Sequence, residues 1–144
     1  MNDDSMNFKM LSFVRLFKDK YNSMIEMHAK ECGISKQEAD VLLFFGNNSN
    51  LNCAIDVVLY RGFSKAYVSK SINLLKQKKL ITICNDNDDK RYQRITINDS
   101  ARNILNDLKN AQNEFFSCLS EGISKEEFFI YANIIDKITN NMKG

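Results

Sequence analysis

The sequence has 144 residues, of which 44% are hydrophobic and 26% are charged, and its formal net charge is +2. This length is typical of one globular domain and leaves little room for separate catalytic and cofactor domains, and the composition excludes wholesale disorder. No apolar run approaches the roughly 18 residues that a membrane span needs, and the first residues lack the features of a signal peptide, so we expect a cytoplasmic protein without membrane contact.

The basic residues are concentrated in one part of the chain. The segment from Tyr60 to Arg94 contains nine Lys or Arg and three Asp, which gives a local net charge of +6, whereas the rest of the chain carries −4. A basic segment in an otherwise acidic protein is expected where a polyanion binds, although a solvated lysine-rich face would give the same pattern.

The first predicted helix covers about 7–30, where mostly apolar residues recur at steps of three and four from Met10 to His28. Gly33 is a stop signal. Ser35 and Glu38 then have the spacing of a capping box, which predicts a second helix through 41–45. A polar turn at 46–50 and a short helix at about 52–60 follow.

Ser64 is a suitable N-cap for a helix over about 65–79 that buries Val68, Ile72 and Leu75. Its opposite face carries short polar groups, which can reach base edges, and lysines, which can pair with phosphates. The DNA-binding residues predicted at the start and along this face are Ser64, Lys65, Ala66, Tyr67, Ser69, Lys70 and Asn73.

The periodicity then changes from helical to alternating, and two strand-like runs at 80–84 and 91–97 predict a hairpin joined by 85–90. The hairpin tip places Lys90 and Arg91 beside Asp89. We expect both cations to contact DNA, with Arg91 in a narrow minor groove and Asp89 holding it extended, although turns favour Asp for their own reasons.

Two more helices are predicted after the hairpin. Asn98 or Asp99 caps a helix that reaches about Ser120, and a second capping box at Ser124 and Glu127 starts an apolar stripe that ends at Met142. The fold class is therefore mainly α with a small β-hairpin, and the order of three helices and a hairpin is that of a winged helix-turn-helix.

The chain resembles the multiple-antibiotic-resistance regulator (MarR) family, including its staphylococcal accessory regulator relatives. The resemblance is carried by Ile-Ser-Lys-Gln-Glu-Ala-Asp-Val-Leu at 34–42, by Phe63 to Ile81, and by Asp-Asp-Lys-Arg-Tyr-Gln-Arg-Ile-Thr-Ile-Asn-Asp at 88–99. It implies that 64–79 is the recognition helix and that Arg91 is the wing arginine. Lys79 departs from the family's glycine, and Asn-Asp-Ser-Ala at 98–101 departs from its Thr-x-x-Gly.

The resemblance implies one domain over 1–144, in which a winged helix core at 35–97 is flanked by dimerisation helices at 5–32 and 98–142. Three long apolar stripes independently favour a homodimer. The expected function is transcription regulation, with repression of pseudo-palindromic double-stranded DNA operators. The alternative is a winged helix module that binds protein instead of DNA.

Regulation by a small phenolic or lipophilic ligand, an oxidant or a metal is also implied by the resemblance. Metal is the least expected, because His28 is the only histidine and the cysteines do not cluster. His28 is interpreted as a helix-end or dimer-seam residue, and Cys32 is the first cysteine to test for oxidation. The remaining three, Cys53, Cys84 and Cys118, are predicted to be small core residues. We expect neither a cofactor nor catalysis, since no phosphate-binding glycine loop or nucleophile motif is present.

Overall fold

The computed structural model describes residues 4–85, 88 and 92–144. The helices are α1 (Asp4–Glu31), α2 (Lys36–Asn47), α3 (Ala54–Arg61), α4 (Lys65–Gln77), α5 (Arg102–Leu119) and α6 (Lys125–Lys143). The strands β1 (Ile81–Asn85) and β2 (Gln93–Ile97) form an antiparallel pair, and a short 3-10 helix (Asp99–Ala101) precedes α5. The predicted fold class, mainly helical with one hairpin, is confirmed.

The helix starts follow from capping chemistry. Ser35 and Glu38 form both hydrogen bonds of the predicted capping box, and so do Ser124 and Glu127. Ser64 caps α4 as predicted, because its hydroxyl accepts the amide of Tyr67. These side chains satisfy amides that have no partner within the helix, and they therefore fix where α2, α4 and α6 begin.

The chain divides into two compact units, residues 1–113 and 114–144. Helix α2 lies at the centre of the first unit, where every residue from Glu38 to Phe45 is buried. It packs against α1 and α4, and α4 also packs against α3 and β1. Gly46 lets α5 approach closely, because a Cβ there would lie 2.5 Å from the Leu105 side chain.

Helix α1 is buried only in its second half. Tyr21, Ile25 and Ala29 belong to the core, whereas Met10 and Val14, earlier in the predicted stripe, are exposed. The other large apolar residues exposed in the first half are Met6, Phe8, Leu11, Phe13 and Leu16.

The second unit contains the end of α5 and the whole of α6. No residue of α6 is buried, and Phe129 and Ile130 are 70% and 56% exposed. Its other exposed apolar residues include Phe128, Tyr131, Ile134, Ile135 and Met142. Helix α6 therefore presents an extensive apolar surface.

Candidate nucleic-acid interface

Helix α4 has one buried and one exposed face. Val68, Ile72 and Leu75 are buried, as the spacing predicts, and Ser71 is buried with them. The exposed positions include six of the predicted DNA-binding residues, namely Ser64, Lys65, Ala66, Ser69, Lys70 and Asn73. The helix thus presents two lysines and short polar side chains on the same surface.

Tyr67 differs from those six residues because it is half-buried. Its hydroxyl donates to Asp40 Oδ2 at 2.8 Å, and its ring lies 4.7 Å from that of Phe63. Burial raises the pKa of Tyr67 above its ordinary value, and the hydrogen bond to Asp40 and that residue's charge raise it further, whereas Arg61 lowers it. The hydroxyl is therefore held in its neutral form, directed into the protein.

Two buried carboxylates on α2 hold helix α4 near its two ends. Asp40 is fully buried and also accepts from Lys36 Nζ at 2.6 Å, while its bond to Tyr67 fixes the first turns of α4. Glu38, 2% exposed, accepts from Lys78 Nζ at 2.9 Å, just after the last turn. The sequence analysis assigned Glu38 only to capping and did not identify Asp40. The pattern that could have indicated Asp40 is an acidic residue within the apolar segment 39–45.

Gly62 ends α3 and redirects the chain toward α4. Its φ of 69° is left-handed, and its amide donates to the Val58 carbonyl at 3.0 Å. A residue with a Cβ would be strained in this conformation, so glycine permits the tight turn between the two helices. The turn places Phe63 against Tyr67 of α4.

Strand β2 of the hairpin is attached by two hydrogen bonds to Asn52, in the loop before α3. The Ile95 amide donates to the Asn52 carbonyl at 2.8 Å, ahead of α3, and Arg94 Nη1 donates to Asn52 Oδ1 at 3.0 Å. Isoleucine pairs define the register, with Ile81 opposite Ile97 and Ile83 opposite Ile95. The predicted tip residues Asp89, Lys90 and Arg91 lie outside the described residues, and their roles stay predictions.

The two departures from the family pattern contact each other. Lys79 has a φ of 60°, the left-handed region that favours glycine. Its carbonyl accepts from Asn98 Nδ2 at 3.0 Å and from Ser100 Oγ at 2.6 Å. These two bonds hold the strained turn in place, so the segment after β2 supports the turn before β1.

A groove with a volume of about 330 Å³ lies between α3, α4 and the hairpin. Lys65, Ser69 and Asn73 line it on the side of α4, and Ile83 and Gln93 line it on the side of the strands. The predicted recognition face thus borders a groove whose other wall is the wing.

The cysteines do not form a reactive cluster among the described residues, and all four are free thiols. Burial raises the pKa of the Cys32 thiol, and the charges of Asp107 and Glu31 raise it further. Less of this cysteine is thus in the reactive thiolate form at neutral pH, which argues against it as an oxidant sensor.

Cys53 is buried as predicted, but the prediction for Cys84 and Cys118 is wrong because both are exposed. Cys84 alternates with Ile83 along β1 and so lies on the opposite side of the strand. Cys118 lies beyond Ala111, the last buried residue of α5. Apolar composition alone did not distinguish these positions.

His28 is half-buried, three residues before the end of α1, with Nδ1 3.4 Å from Glu31 Oε2. No group of three or more His, Cys, Asp or Glu residues suited to a metal ion is found in the part of the chain that the structure describes. Within the same residues, no helix is both long and apolar enough to span a membrane.

No model of a known protein family matches the sequence. The chain is nevertheless similar in structure to solved proteins. A MarR protein from Peptoclostridium difficile shares 19% identity at a TM-score of 0.80, with 99% of this chain and 92% of that one covered. A putative MarR family regulator from Listeria monocytogenes, solved in complex with 26mer DNA, shares 14% identity at a TM-score of 0.83 over 99% and 90% of the two chains.

A third similar structure is the MepR–DNA complex of S. aureus, at 16% identity and a TM-score of 0.76 over 90% of this chain and 94% of that one. At these identities the comparisons establish the fold. The chain therefore has the winged helix-turn-helix fold of the MarR-family transcriptional regulators.

Proposed function

We propose that this protein is a MarR-family transcription regulator that binds double-stranded DNA through α4 and the hairpin. The observation that carries the proposal is the exposed face of α4, where Lys65, Ser69 and Asn73 line the groove beside the hairpin and Lys70 is also exposed. Lysines can neutralise phosphates there, and Ser and Asn can hydrogen-bond to base edges in the major groove. The buried carboxylates Glu38 and Asp40 hold this helix from the opposite side.

The solved relatives support DNA as the ligand. Two of the similar structures, from Listeria monocytogenes and S. aureus, are complexes with DNA. The fold shared with them is consistent with the same use of α4 in this chain. Kinship with the staphylococcal accessory regulators, which the sequence motifs suggest, is part of this proposal.

The active form that we propose is a homodimer. The exposed apolar residues of the first half of α1 and of α6 favour it, because many large apolar side chains exposed along the same helix are usually covered by a partner. Two copies of α4 about one DNA turn apart, roughly 34 Å, would read a pseudo-palindromic site. Bound in this way, the dimer would act as a repressor that a small ligand or an oxidant releases.

The deciding experiment is selection of bound fragments from random duplex DNA by the purified protein. We expect an inverted repeat whose half-sites are one helical turn apart. In a salt titration, contact with about eight phosphates predicts a slope of roughly −7 in a log–log plot of affinity against salt concentration.

A matched pair of variants assigns this binding to α4. The double variant Lys65→Gln with Lys70→Gln should weaken binding to all duplexes. It should also reduce the magnitude of the log–log salt slope by about two. The control, Lys30→Gln with Lys125→Gln, removes the same charge from exposed positions on other helices. A protein that selects no sequence and binds no duplex at low salt would instead be a protein-interaction module.

A further inference from the structure

The groove between α3, α4 and the hairpin combines polar and apolar side chains. Lys65 and Asn73 line it on the side of α4, and Gln93 of β2 lines it on the side of the hairpin. Much of the remaining lining is apolar and includes Ile55 of α3 and Ile83 of β1. None of the described residues that line the groove is acidic. The groove therefore suits a ligand that carries negative charge and also has a carbon surface.

Gln93 is the polar side chain that the hairpin contributes to this groove, and the sequence analysis did not select it. It is exposed, and it lies on the same side of β2 as the buried Ile95, two positions further along the strand. Within the described residues, its side-chain amide takes part in no hydrogen bond. The two N–H groups of that amide are therefore available to a ligand.

The shape of duplex DNA determines what can lie in the groove. The major groove, about 12 Å wide, admits an α-helix, and the minor groove beside it is about 6 Å wide. The sugar–phosphate backbone of one strand separates the two. If α4 enters the major groove and the hairpin reaches the adjacent minor groove, that backbone has to pass between α4 and the hairpin.

We propose that this groove receives the sugar–phosphate backbone of one DNA strand and that the Gln93 amide donates a hydrogen bond to one of its phosphates. Lys65 supplies a positive charge from α4, and Ile55 and Ile83 offer an apolar surface to the deoxyribose carbons. Such a contact fixes the register of the protein on the duplex without reading the sequence. The inference rests on the proposed function and adds a contact that can fail separately.

The first test replaces Gln93 with Ala in the intact protein and measures affinity by fluorescence anisotropy, both for the selected operator and for an unrelated duplex. Loss of one neutral hydrogen bond should weaken binding to both duplexes about fivefold. The log–log salt slope should stay unchanged, because a neutral amide displaces no counterion. The control is Thr96→Ala, on the opposite side of the same strand and also exposed, which should bind like the unsubstituted protein.

The second test locates the phosphate. Each operator duplex in a series carries a single methylphosphonate, in which a methyl group replaces one charged phosphate oxygen. We expect one position in each half-site where this change weakens binding of the unsubstituted protein but has an effect at least threefold smaller on Gln93→Ala. Such non-additivity is expected only when the two altered groups interact.

Three results would overturn this inference and leave the proposed function standing. They are an unchanged affinity in Gln93→Ala, a loss confined to the operator, and methylphosphonate effects that are equal in the two proteins. If Gln93→Ala does not fold, Gln93→Glu keeps the side-chain size and should weaken binding at least tenfold, since its charge would repel the phosphate. Unchanged binding in Gln93→Glu would also overturn the inference, whereas a protein that binds no duplex would overturn both proposals.

Discussion

Among single residues, Lys79 shows how a residue other than glycine is tolerated in a left-handed turn. Its left-handed φ of 60° costs an ordinary residue about 1 kcal/mol or more relative to glycine. The hydrogen bonds that Asn98 and Ser100 donate to its carbonyl offset part of this cost. The turn therefore keeps the geometry that glycine would favour, although glycine is absent.

Replacing Lys79 with Gly should raise the free energy of unfolding by about 1 kcal/mol, because glycine adopts this conformation without a Cβ penalty. Chemical denaturation measures the change. Lys79→Ala is the matched control, since it removes the same side chain but retains the Cβ. An equal gain in both variants would show that the side chain, and not the backbone, limits stability.

Tyr67 leads to a second residue-scale prediction, about alkaline stability. Tyr67→Phe removes the donor to Asp40 and should lower the free energy of unfolding by about 1–2 kcal/mol at neutral pH. Because the pKa of Tyr67 is raised in the folded protein, stability should fall as pH rises above about 10, where tyrosines of the unfolded chain ionise.

The free energy of unfolding should therefore fall less at alkaline pH in Tyr67→Phe than in the unsubstituted protein. Denaturation curves at a series of pH values from 8 upward compare the two, with Tyr92→Phe as the control on an exposed tyrosine. Identical pH profiles for all three proteins would contradict a neutral hydroxyl at Tyr67 that donates to Asp40.

At the scale of elements, α4 is positioned mainly by α2. Asp40 and Glu38 bind residues near the two ends of α4, and Val68, Ile72 and Leu75 pack between those ends. The hairpin packs against α4 through β1, and it is also attached through Asn52 before α3 and through Lys79 after α4. Helix and wing thus share one contact, and each has further supports of its own.

Arg91→Ala tests the wing by itself. We expect operator binding about tenfold weaker, equivalent to about 1.4 kcal/mol, because an arginine in a narrow minor groove gains from the negative potential there. Fluorescence anisotropy measures the affinity, and the variant should stay folded and dimeric. Arg102→Ala is a control that removes an exposed arginine outside the wing. An unchanged affinity for Arg91→Ala would refute the wing assignment.

For the whole molecule, the exposed apolar residues of α1 and α6 are the basis of the homodimer proposed above. If the protein is a homodimer through these helices, Leu11→Glu and Phe129→Glu should each shift it toward monomer in sedimentation velocity. Operator affinity should fall with them, by at least tenfold, since one half-site binds more weakly than two joined sites. Leu11 and Phe129 are 75% and 70% exposed.

Leu59→Glu is the matched control for these variants, because Leu59 is 71% exposed but lies on α3, outside the proposed dimer helices. It should leave the sedimentation coefficient unchanged. A dimer that survives both Leu11→Glu and Phe129→Glu would have to use another surface.

Local sequence patterns were enough to predict the order of the elements and most helix starts. Ser35, Ser64 and Ser124 act within one turn of their own position, so local chemistry suffices to predict them. Val68, Ile72 and Leu75 were likewise predictable, because helical periodicity fixes which residues share a face.

Which residues pack against each helix face depends on long-range contacts, and the sequence patterns did not predict them. The Asp40–Tyr67 bond joins residues 27 apart in the chain, and the Lys78–Glu38 bond joins residues 40 apart, which no local pattern encodes. The prediction that Cys84 and Cys118 are buried was wrong for the same reason. Burial depends on the neighbours that folding brings together.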